Sequence, residues 1–278
     1  MRSPRQELAL GHVDTSGKGL EVGPAFQPLA PRSEGFDVTI LDHASTAEIR
    51  QKYADLGLDQ DGLDRIEDVD CVWTGGRYSD TPGLVPPYDY IIASHVIEHT
   101  TDPVGFLLDL GSLLSRNGRI ALVVPDKRFC FDHHRPVSTT GAILDAHLHP
   151  IDVHSPGAVL DHFVHHVTKD QAIVWGDQSA GGDFEFTYSI EHAWAETERA
   201  MKADDYMDIH RWSFTPSSLA FALGTLRCGG WLEDLAVIAS HETVGCEFFL
   251  TLGRGDAPYR GEIRQLQSKM WMEGQSSQ

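Results

Sequence analysis

A glycine and an aspartate end two successive apolar runs, and residues of these types could hold a nucleoside. Gly23 follows the run 19–22, and Asp42 follows the run 36–41. Glycine lets a ligand approach the backbone closely, and a carboxylate can accept hydrogen bonds from both hydroxyls of a ribose. Because such runs read as neighbouring strands, the two residues predict an adenosine-like ligand at one edge of a sheet.

The loop after Gly23 differs from the loop that binds a dinucleotide. It continues with Pro24, Ala25, Phe26, Gln27 and Pro28, so the G-x-G-x-x-G pattern is missing. A pyrophosphate needs that glycine-rich start of a helix, whereas an adenosine without phosphates does not. This disfavours a nicotinamide-dependent dehydrogenase.

The elements that must position these residues alternate between strands and helices over residues 18–124. The runs are short and continuously apolar, as expected when helices cover both faces of a parallel sheet. They predict a doubly wound α/β fold. The predicted strands are 18–23, 36–41, 69–73, 88–94 and 119–124, and the predicted helices are 44–56 and 102–114.

The rest of the chain predicts an insertion followed by a return to the sheet. Helices are expected at 161–174, 190–202 and 214–226, and two strands at 231–239 and 246–252. The predicted organisation is a sheet domain of residues 18–125 and 213–254, interrupted by a histidine-rich helical insertion or lid over 126–212. A flexible lead at 1–17 and a loose tail at 255–278 complete the chain.

One set of motifs resembles a known family. Glu21-Val-Gly-Pro24, then Asp42, then the run from Tyr88 to Pro103 look like the class I S-adenosylmethionine (SAM)-dependent methyltransferases, in the small-molecule branch with an "EH…DP" loop and helix. The resemblance implies a Rossmann-like, mostly parallel seven-stranded sheet. It also implies SAM as the cofactor, with S-adenosylhomocysteine (SAH) as its product.

The resemblance assigns cofactor contacts to nine positions. Glu21, Gly23, Pro24 and Ala25 would lie at the methionine end, with Ser94 and His95 on the same side. Asp42 would hold the ribose and His43 would lie near the adenine. The third loop reads Trp73-Thr-Gly-Gly76 where the family often has an acidic residue, so the candidate partner of the base is Thr74 or, with a shift in register, Asp70.

The segment after the fifth strand contains the predicted catalytic residues. Methyl transfer to a hydroxyl requires positioning of the acceptor and removal of a proton, and histidine is a suitable base near neutral pH. His133 and His134 are the candidates for this base, with Asp132 to orient a ring. The substrate-binding candidates are Arg128, Arg135, His192 and Trp212.

A metal site is considered but not predicted. Histidines between 147 and 166 are close in sequence, and His162 and His166 share one helical face, yet nothing determines a ligand set. A divalent ion that polarises sugar hydroxyls stays possible.

The composition of the chain limits the kinds of partner and the cellular location that we expect. The formal net charge of −19 would repel nucleic acid and anionic membranes. The four cysteines are scattered, and no stretch is apolar enough for a signal peptide or a bilayer span. We expect a cytoplasmic protein that acts on a small molecule, with a homodimer possible.

The leading hypothesis is a methyltransferase that acts on a small polar acceptor, through a hydroxyl of a sugar or glycosylated metabolite. Two alternatives stay open. One is a SAM-binding enzyme that catalyses another reaction, such as attack on a different carbon of the sulfonium. The other is a degenerate methyltransferase fold that serves in binding or assembly.

Overall fold

The computed structural model describes residues 2–176, 182–203, 205–232, 234–255 and 260–275. Within these residues the main sheet has seven strands, in the order β3-β2-β1-β4-β5-β9-β8, and a separate two-stranded sheet pairs β6 with β7. The strands are β1 Gly19–Val22, β2 Val38–Asp42, β3 Cys71–Val72, β4 Tyr88–Ser94, β5 Leu114–Pro125, β6 Val167–Lys169, β7 Phe184–Phe186, β8 Ala236–Val244 and β9 Glu247–Gly253.

The first five strands run parallel, and β8 and β9 form an antiparallel hairpin at one end of the main sheet. Gly19 is in register with both Val38 of β2 and Tyr90 of β4, so β1 lies between these two strands in the sheet. β9 pairs with β5 in the antiparallel sense. The predicted mostly parallel α/β fold is confirmed, including the closing strand pair.

Helices cover both faces of the main sheet. Their bounds are α1 Pro4–Leu10, α2 Thr46–Asp55, α3 Gln60–Asp64, α4 Pro103–Leu113, α5 Thr140–Leu148, α6 Pro156–His165, α7 Ile190–Lys202, α8 Pro216–Cys228 and α9 Arg260–Gln275. Side chains alternate between two cores along each strand: Ile120 and Leu122 of β5 pack with α4, α5 and α8, whereas Ala121 and Val123 pack on the α1 side. Because both faces are buried, the strands are continuously apolar.

The N-terminus is an ordered helix, so the predicted flexible lead is wrong. Ser3 caps α1 through a capping box with Gln6, and a proline occupies the first turn. Ala9 and Leu10 are buried in the second core. The polar composition of residues 1–17 concealed a short helix that is held by its cap and two apolar contacts.

The C-terminus also differs from the expected loose tail, since α9 covers Arg260–Gln275. It lies against α8, where the hydroxyl of Ser217 donates to Oε1 of Glu273 at 2.6 Å and its backbone N–H donates to Oε2 at 3.2 Å. These bonds hold the first turn of α8 against the terminal helix.

The insertion is partly continuous with the main fold. Ile143 and Ala146 of α5 belong to the main core, whereas Val159, Met207 and Ile209 form a small core of their own. The predicted helix 161–174 is wrong, because α6 ends at His165 and the chain continues as β6, which pairs with β7.

Glu21 braces the loop that follows β1. Its side chain is fully buried, and its carboxylate accepts the backbone N–H of Leu29 at 2.7 Å and of Ala30 at 3.1 Å. Burial raises the pKa of Glu21 to about 7, although these N–H groups favour the charged form. Glu21 therefore stabilises the conformation of this loop from its buried side.

We expect Glu21→Gln to remove a pH dependence of stability. The folded state holds this proton to higher pH than the unfolded state, whose carboxyl has the ordinary pKa of 4.5, so stability falls as pH rises from about 4.5 to about 7. The free energy of unfolding of wild type relative to Glu21→Gln should fall by about 3 kcal/mol across this window. Denaturant unfolding at several pH values measures it. The exposed Glu185→Gln is the control, and parallel curves for wild type and Glu21→Gln would contradict the assignment.

Candidate active site

A cleft with a volume of about 1660 Å³ opens at the carboxyl edge of the main sheet. Val22, Leu41 and Ser94, at the ends of β1, β2 and β4, form part of its lining. Parallel strands end at the same edge, so their loops converge on a common ligand space. Every predicted cofactor residue except Glu21 lines the cleft; these are Gly23, Pro24, Ala25, Asp42, His43, Thr74, Ser94 and His95.

In the turn after β1, the cleft is lined by backbone atoms of a glycine, which has no side chain. Gly23 has a φ of +61° and donates its N–H to the carbonyl of Leu41 at 2.8 Å. Ala25 also has a positive φ, +48°, which is uncommon for a residue with a Cβ. Glu21 lies behind this turn and does not line the cleft, so its predicted direct contact is replaced by the bracing described above.

Asp42 presents a carboxylate at the end of β2. The residue is 5 % exposed and lines the cleft. Its Oδ1 accepts the backbone N–H of His43 at 2.7 Å, and Nδ1 of His43 lies 2.7 Å from the same oxygen. The carbonyl of Asp42 accepts the N–H of Trp73 at 2.8 Å, which ties the third loop to the second.

An aromatic wall lies beside Asp42. The rings of Trp73 and Tyr78 stack with centroids 4.5 Å apart and planes 5° apart. Asp109 of α4 positions this wall, because its Oδ2 accepts the N–H of Tyr78 at 2.9 Å. Thr74 lies in the same loop and lines the cleft. Sequence reasoning missed Tyr78 and Asp109, since neither belongs to the motifs that were recognised.

Arg5 of α1 reaches the opposite end of the cleft and was also missed. It donates from Nε and Nη2 to the two carboxylate oxygens of Glu247, at 2.8 and 2.9 Å. Nη2 also donates to the hydroxyl of Ser94 at 2.8 Å. The Ser3–Gln6 capping box, with Pro4 at the first helical position, was the available sequence signal for the helix that carries Arg5.

Glu247 links Arg5 to His95. Its Oε1 lies 2.7 Å from Nε2 of His95. Burial raises the pKa of Glu247, but His95 and Arg5 outweigh this and lower it to about 2. The carboxylate is therefore charged at neutral pH and joins the guanidinium of Arg5 to the imidazole of His95.

The insertion supplies part of the other half of the cleft. The residues of this half are mostly polar and come from the loop before α4, from α5 and the loop after it, and from the segment before α8. They include Thr100, Thr101, Asp102, His147, Pro150, Ile151, Asp152, Val153, Tyr206 and Asp208. His147 Nδ1 lies 2.8 Å from Oδ2 of Asp102. Tyr206 and Asp208 lie in irregular chain with no motif that would have identified them.

Asp132, predicted to orient a catalytic ring, lies outside the cleft lining. It is 2 % exposed, and its two oxygens pair with Nη1 of Arg135 at 2.9 Å and Nδ1 of His210 at 2.5 Å. Burial opposes ionisation, but His210 and Arg135 outweigh it and hold the pKa of Asp132 well below its usual range. Asp132 does orient a histidine, but that histidine is His210.

The predicted bases His133 and His134 also lie outside the cleft lining, against the small sheet. Nδ1 of His133 lies 2.7 Å from the carbonyl of Arg128, and its ring stacks on Phe184 of β7 at 4.6 Å. His134 contacts the same phenyl ring at 5.3 Å. The short 3-10 helix Lys127–Phe129 follows β5 and turns the chain away from the sheet edge. Although β5 ends beside the cleft, His133 and His134 therefore lie outside it.

The predicted substrate-binding residues are likewise engaged elsewhere. Arg128 forms an ion pair with the buried Asp126 at 2.6 Å. Arg135 donates to the carbonyls of His210 and Arg211 in addition to Asp132. Trp212 donates its indole N–H to the carbonyl of Thr100 at 2.7 Å, and His192 stacks on Tyr188 at 5.0 Å. The bond from Trp212 joins the end of the insertion to the loop before α4, whereas the other contacts lie within the insertion.

The chain belongs to a methyltransferase family. The family model described as a methyltransferase domain matches residues 2–223. Together with the sheet order described above, this match confirms the predicted class, a SAM-dependent methyltransferase with a Rossmann-like fold. A comparison with curated proteins finds no match.

Solved structures resemble the chain only distantly. The CcbJ methyltransferase from Streptomyces caelestis is 10 % identical, with 91 % of this chain and 97 % of that one covered and a TM-score of 0.45. The 1,6-didemethyltoxoflavin-N1-methyltransferase from Burkholderia thailandensis is 14 % identical, with 91 % of this chain and 77 % of that one covered and a TM-score of 0.43. The glycopeptide N-methyltransferase MtfA is 13 % identical, with 90 % of this chain and 92 % of that one covered and a TM-score of 0.41. Likenesses this distant carry no argument about the acceptor.

Among the described helices, none is both long and apolar enough to cross a bilayer.

We expect Asp42→Ala to weaken SAH binding by more than roughly tenfold, if its carboxylate holds the ribose as expected from the sequence. Isothermal titration calorimetry measures the affinity. Asp61→Ala removes an equal charge from an exposed position on α3 and should leave the affinity unchanged. Equal affinity of wild type and Asp42→Ala would remove Asp42 from the site.

Proposed function

We propose that the cleft binds SAM in an extended pose and transfers its methyl group to a hydroxyl of a small polar acceptor, such as a sugar or glycosylated metabolite. The observation that carries this proposal is the order of groups along the carboxyl edge. Along this edge the groups follow in the order of the Trp73 and Tyr78 rings, the carboxylate of Asp42, the turn at Gly23 and the guanidinium of Arg5. The cofactor has its adenine, ribose, sulfonium and amino-acid carboxylate in the same order.

The adenosine half is assigned to the loops after β2 and β3. Asp42 lines the cleft, and we assign its carboxylate to accept both ribose hydroxyls. The stacked Trp73 and Tyr78 offer an apolar surface to the adenine, and Thr74 offers a hydroxyl to its polar edge. His43 is half exposed and contacts Asp42, so it borders the ribose.

The methionine half is assigned to the turn at Gly23 and to Arg5. Nε and Nη2 of Arg5 donate to Glu247 and Ser94, so Nη1, which also donates to the carbonyl of Gln27 at 3.4 Å, would supply the N–H donor for the carboxylate of the cofactor. Because Glu247 anchors this guanidinium, little side-chain freedom is lost when the ligand binds. Gly23 leaves the backbone open where the sulfonium passes.

The acceptor half is assigned to the insertion side of the cleft. Its hydroxyls, carboxylates and imidazole, at Thr100, Thr101, Asp102 and His147, suit a ligand with several hydroxyls. Ile151 and Val153 add an apolar contact to the same wall. The excess of acidic residues disfavours a nucleic-acid partner, which supports a small acceptor.

Positioning is the chain's main contribution to the reaction in this proposal. The acceptor oxygen displaces the sulfur in line at the methyl carbon, so the two substrates must lie end to end. The donor half and the acceptor half meet at Ser94 and His95, which line the cleft at the end of β4.

The first test is calorimetric titration of the purified protein with SAM, SAH and NADH. The proposal expects micromolar binding of the two adenosyl ligands and no binding of NADH. Binding of NADH alone would favour the dehydrogenase hypothesis. Absence of all binding would favour the degenerate scaffold.

We expect Arg5→Gln to weaken SAH binding by about tenfold or more, because a charge-assisted hydrogen bond to the methionine carboxylate is lost. Binding of 5′-methylthioadenosine, which lacks the amino-acid group, should be nearly unchanged. Arg2→Gln is the matched control, since Arg2 lies outside the cleft lining and contacts Leu10 and Thr15. Equal losses for both ligands would show that Arg5 acts only by supporting the fold.

A further inference from the structure

A buried carboxylate lies directly behind the cleft and is not used by the cofactor assignment. Glu98 is 1 % exposed, in the short 3-10 helix Ile97–His99 that follows β4. Within the described residues, neither carboxylate oxygen of Glu98 has a hydrogen-bond partner. Burying an unpaired carboxylate is costly, so such a group ordinarily carries a compensating cation or proton.

Three imidazoles surround one oxygen of this carboxylate. Oε1 of Glu98 lies 3.5 Å from Nδ1 of His95, 3.9 Å from Nε2 of His99 and 4.0 Å from Nε2 of His210. The two longer separations exceed a hydrogen bond. They are close to the spacing of two ligand atoms that each lie about 2.1 Å from one ion, which is about 3 to 3.5 Å.

The second nitrogen of each ring contacts a different carboxylate. Nε2 of His95 lies 2.7 Å from Glu247. Nδ1 of His99 lies 2.9 Å from Asp208, and Nδ1 of His210 lies 2.5 Å from Asp132. A carboxylate that accepts one N–H leaves the lone pair of the other nitrogen free. Histidines that bind metals are held in this way.

We propose that Glu98, His99 and His210 bind a divalent transition-metal ion of the zinc type at the wall of the cleft. One ligand atom from each residue lies within 4.8 Å of the other two. Two imidazoles and a carboxylate suit zinc and its neighbours in the first transition row, whereas magnesium prefers oxygen ligands alone. Asp132 orients His210 through its hydrogen bond, and Asp208 lies against His99. From the sequence, a metal is considered among other histidines, between 147 and 166, and is not predicted.

The position of the ion would complete the acceptor half. His99 lines the cleft, and so do His95 and Asp208 beside it, so an open coordination position would face the bound acceptor. This role rests on the proposed function. An acceptor hydroxyl bound to the ion is more acidic and releases its proton to solvent. Its oxygen then bonds to the methyl carbon as the C–S electron pair returns to sulfur, which yields the methyl ether and SAH.

Zinc titration of chelator-treated full-length protein tests the site directly. We expect one Zn²⁺ per chain by calorimetry. Glu98→Gln and His210→Gln should each weaken binding by more than about 100-fold, and Asp132→Asn by roughly tenfold or more. His149→Gln, at an exposed histidine of no assigned role, is the control and should bind as wild type does. Circular dichroism shows whether each variant is folded.

Two further measurements keep the outcome decisive. Co²⁺ added to the wild-type protein should give the visible absorption of a bound nitrogen- and oxygen-ligated ion, even where a variant fails to fold. SAH titration of the metal-free protein tests the proposed function separately, because its contacts lie outside the three ligands. No stoichiometric Zn²⁺ binding, or binding that Glu98→Gln leaves unchanged, would overturn the metal site whatever the SAH result.

Discussion

The parallel pairing of β1 with β2 and β4 is the constraint on which the rest of the structure depends. It ends three strands at one edge and thereby brings together Gly23, Asp42 and Ser94, which are far apart in sequence. A shift of one residue in any of these strands would reverse which side chains face each core. The two buried faces thus fix the register, and the register places the cleft.

Ion pairs then join the peripheral elements to this edge. Arg5 connects α1 to β9 through Glu247, and Glu247 connects β9 to His95 after β4. On the other side, Asp132 and Arg135 join the start of the insertion to its end at His210 and Arg211. Each linkage uses a partly or fully buried carboxylate held by more than one donor, which gives it a defined geometry that a single surface pair would lack. The donor half and the acceptor half of the cleft are held by separate networks that meet near Glu98.

The sequence allowed the fold and the cofactor edge to be predicted, because both depend on local signals. Continuous apolar runs revealed the buried strands, and Gly23 and Asp42 stand at strand ends that can be located without tertiary information. The acceptor half could not be predicted in the same way. His133 and His134 are near the end of β5 in sequence, yet a short 3-10 helix directs them to β7. Arg5, Tyr206 and Asp208 reach the cleft only through tertiary packing, and only Arg5 had a sequence signal in the capping box of α1.

The most direct measurement of the central claim is a crystal structure of the protein with SAH. The account predicts the adenine beside Trp73 and Tyr78, the ribose hydroxyls on Asp42, the sulfur beside Gly23 and the methionine carboxylate on Arg5. A complex in which SAH lies elsewhere, or in which Asp42 does not contact the ribose, would contradict the account.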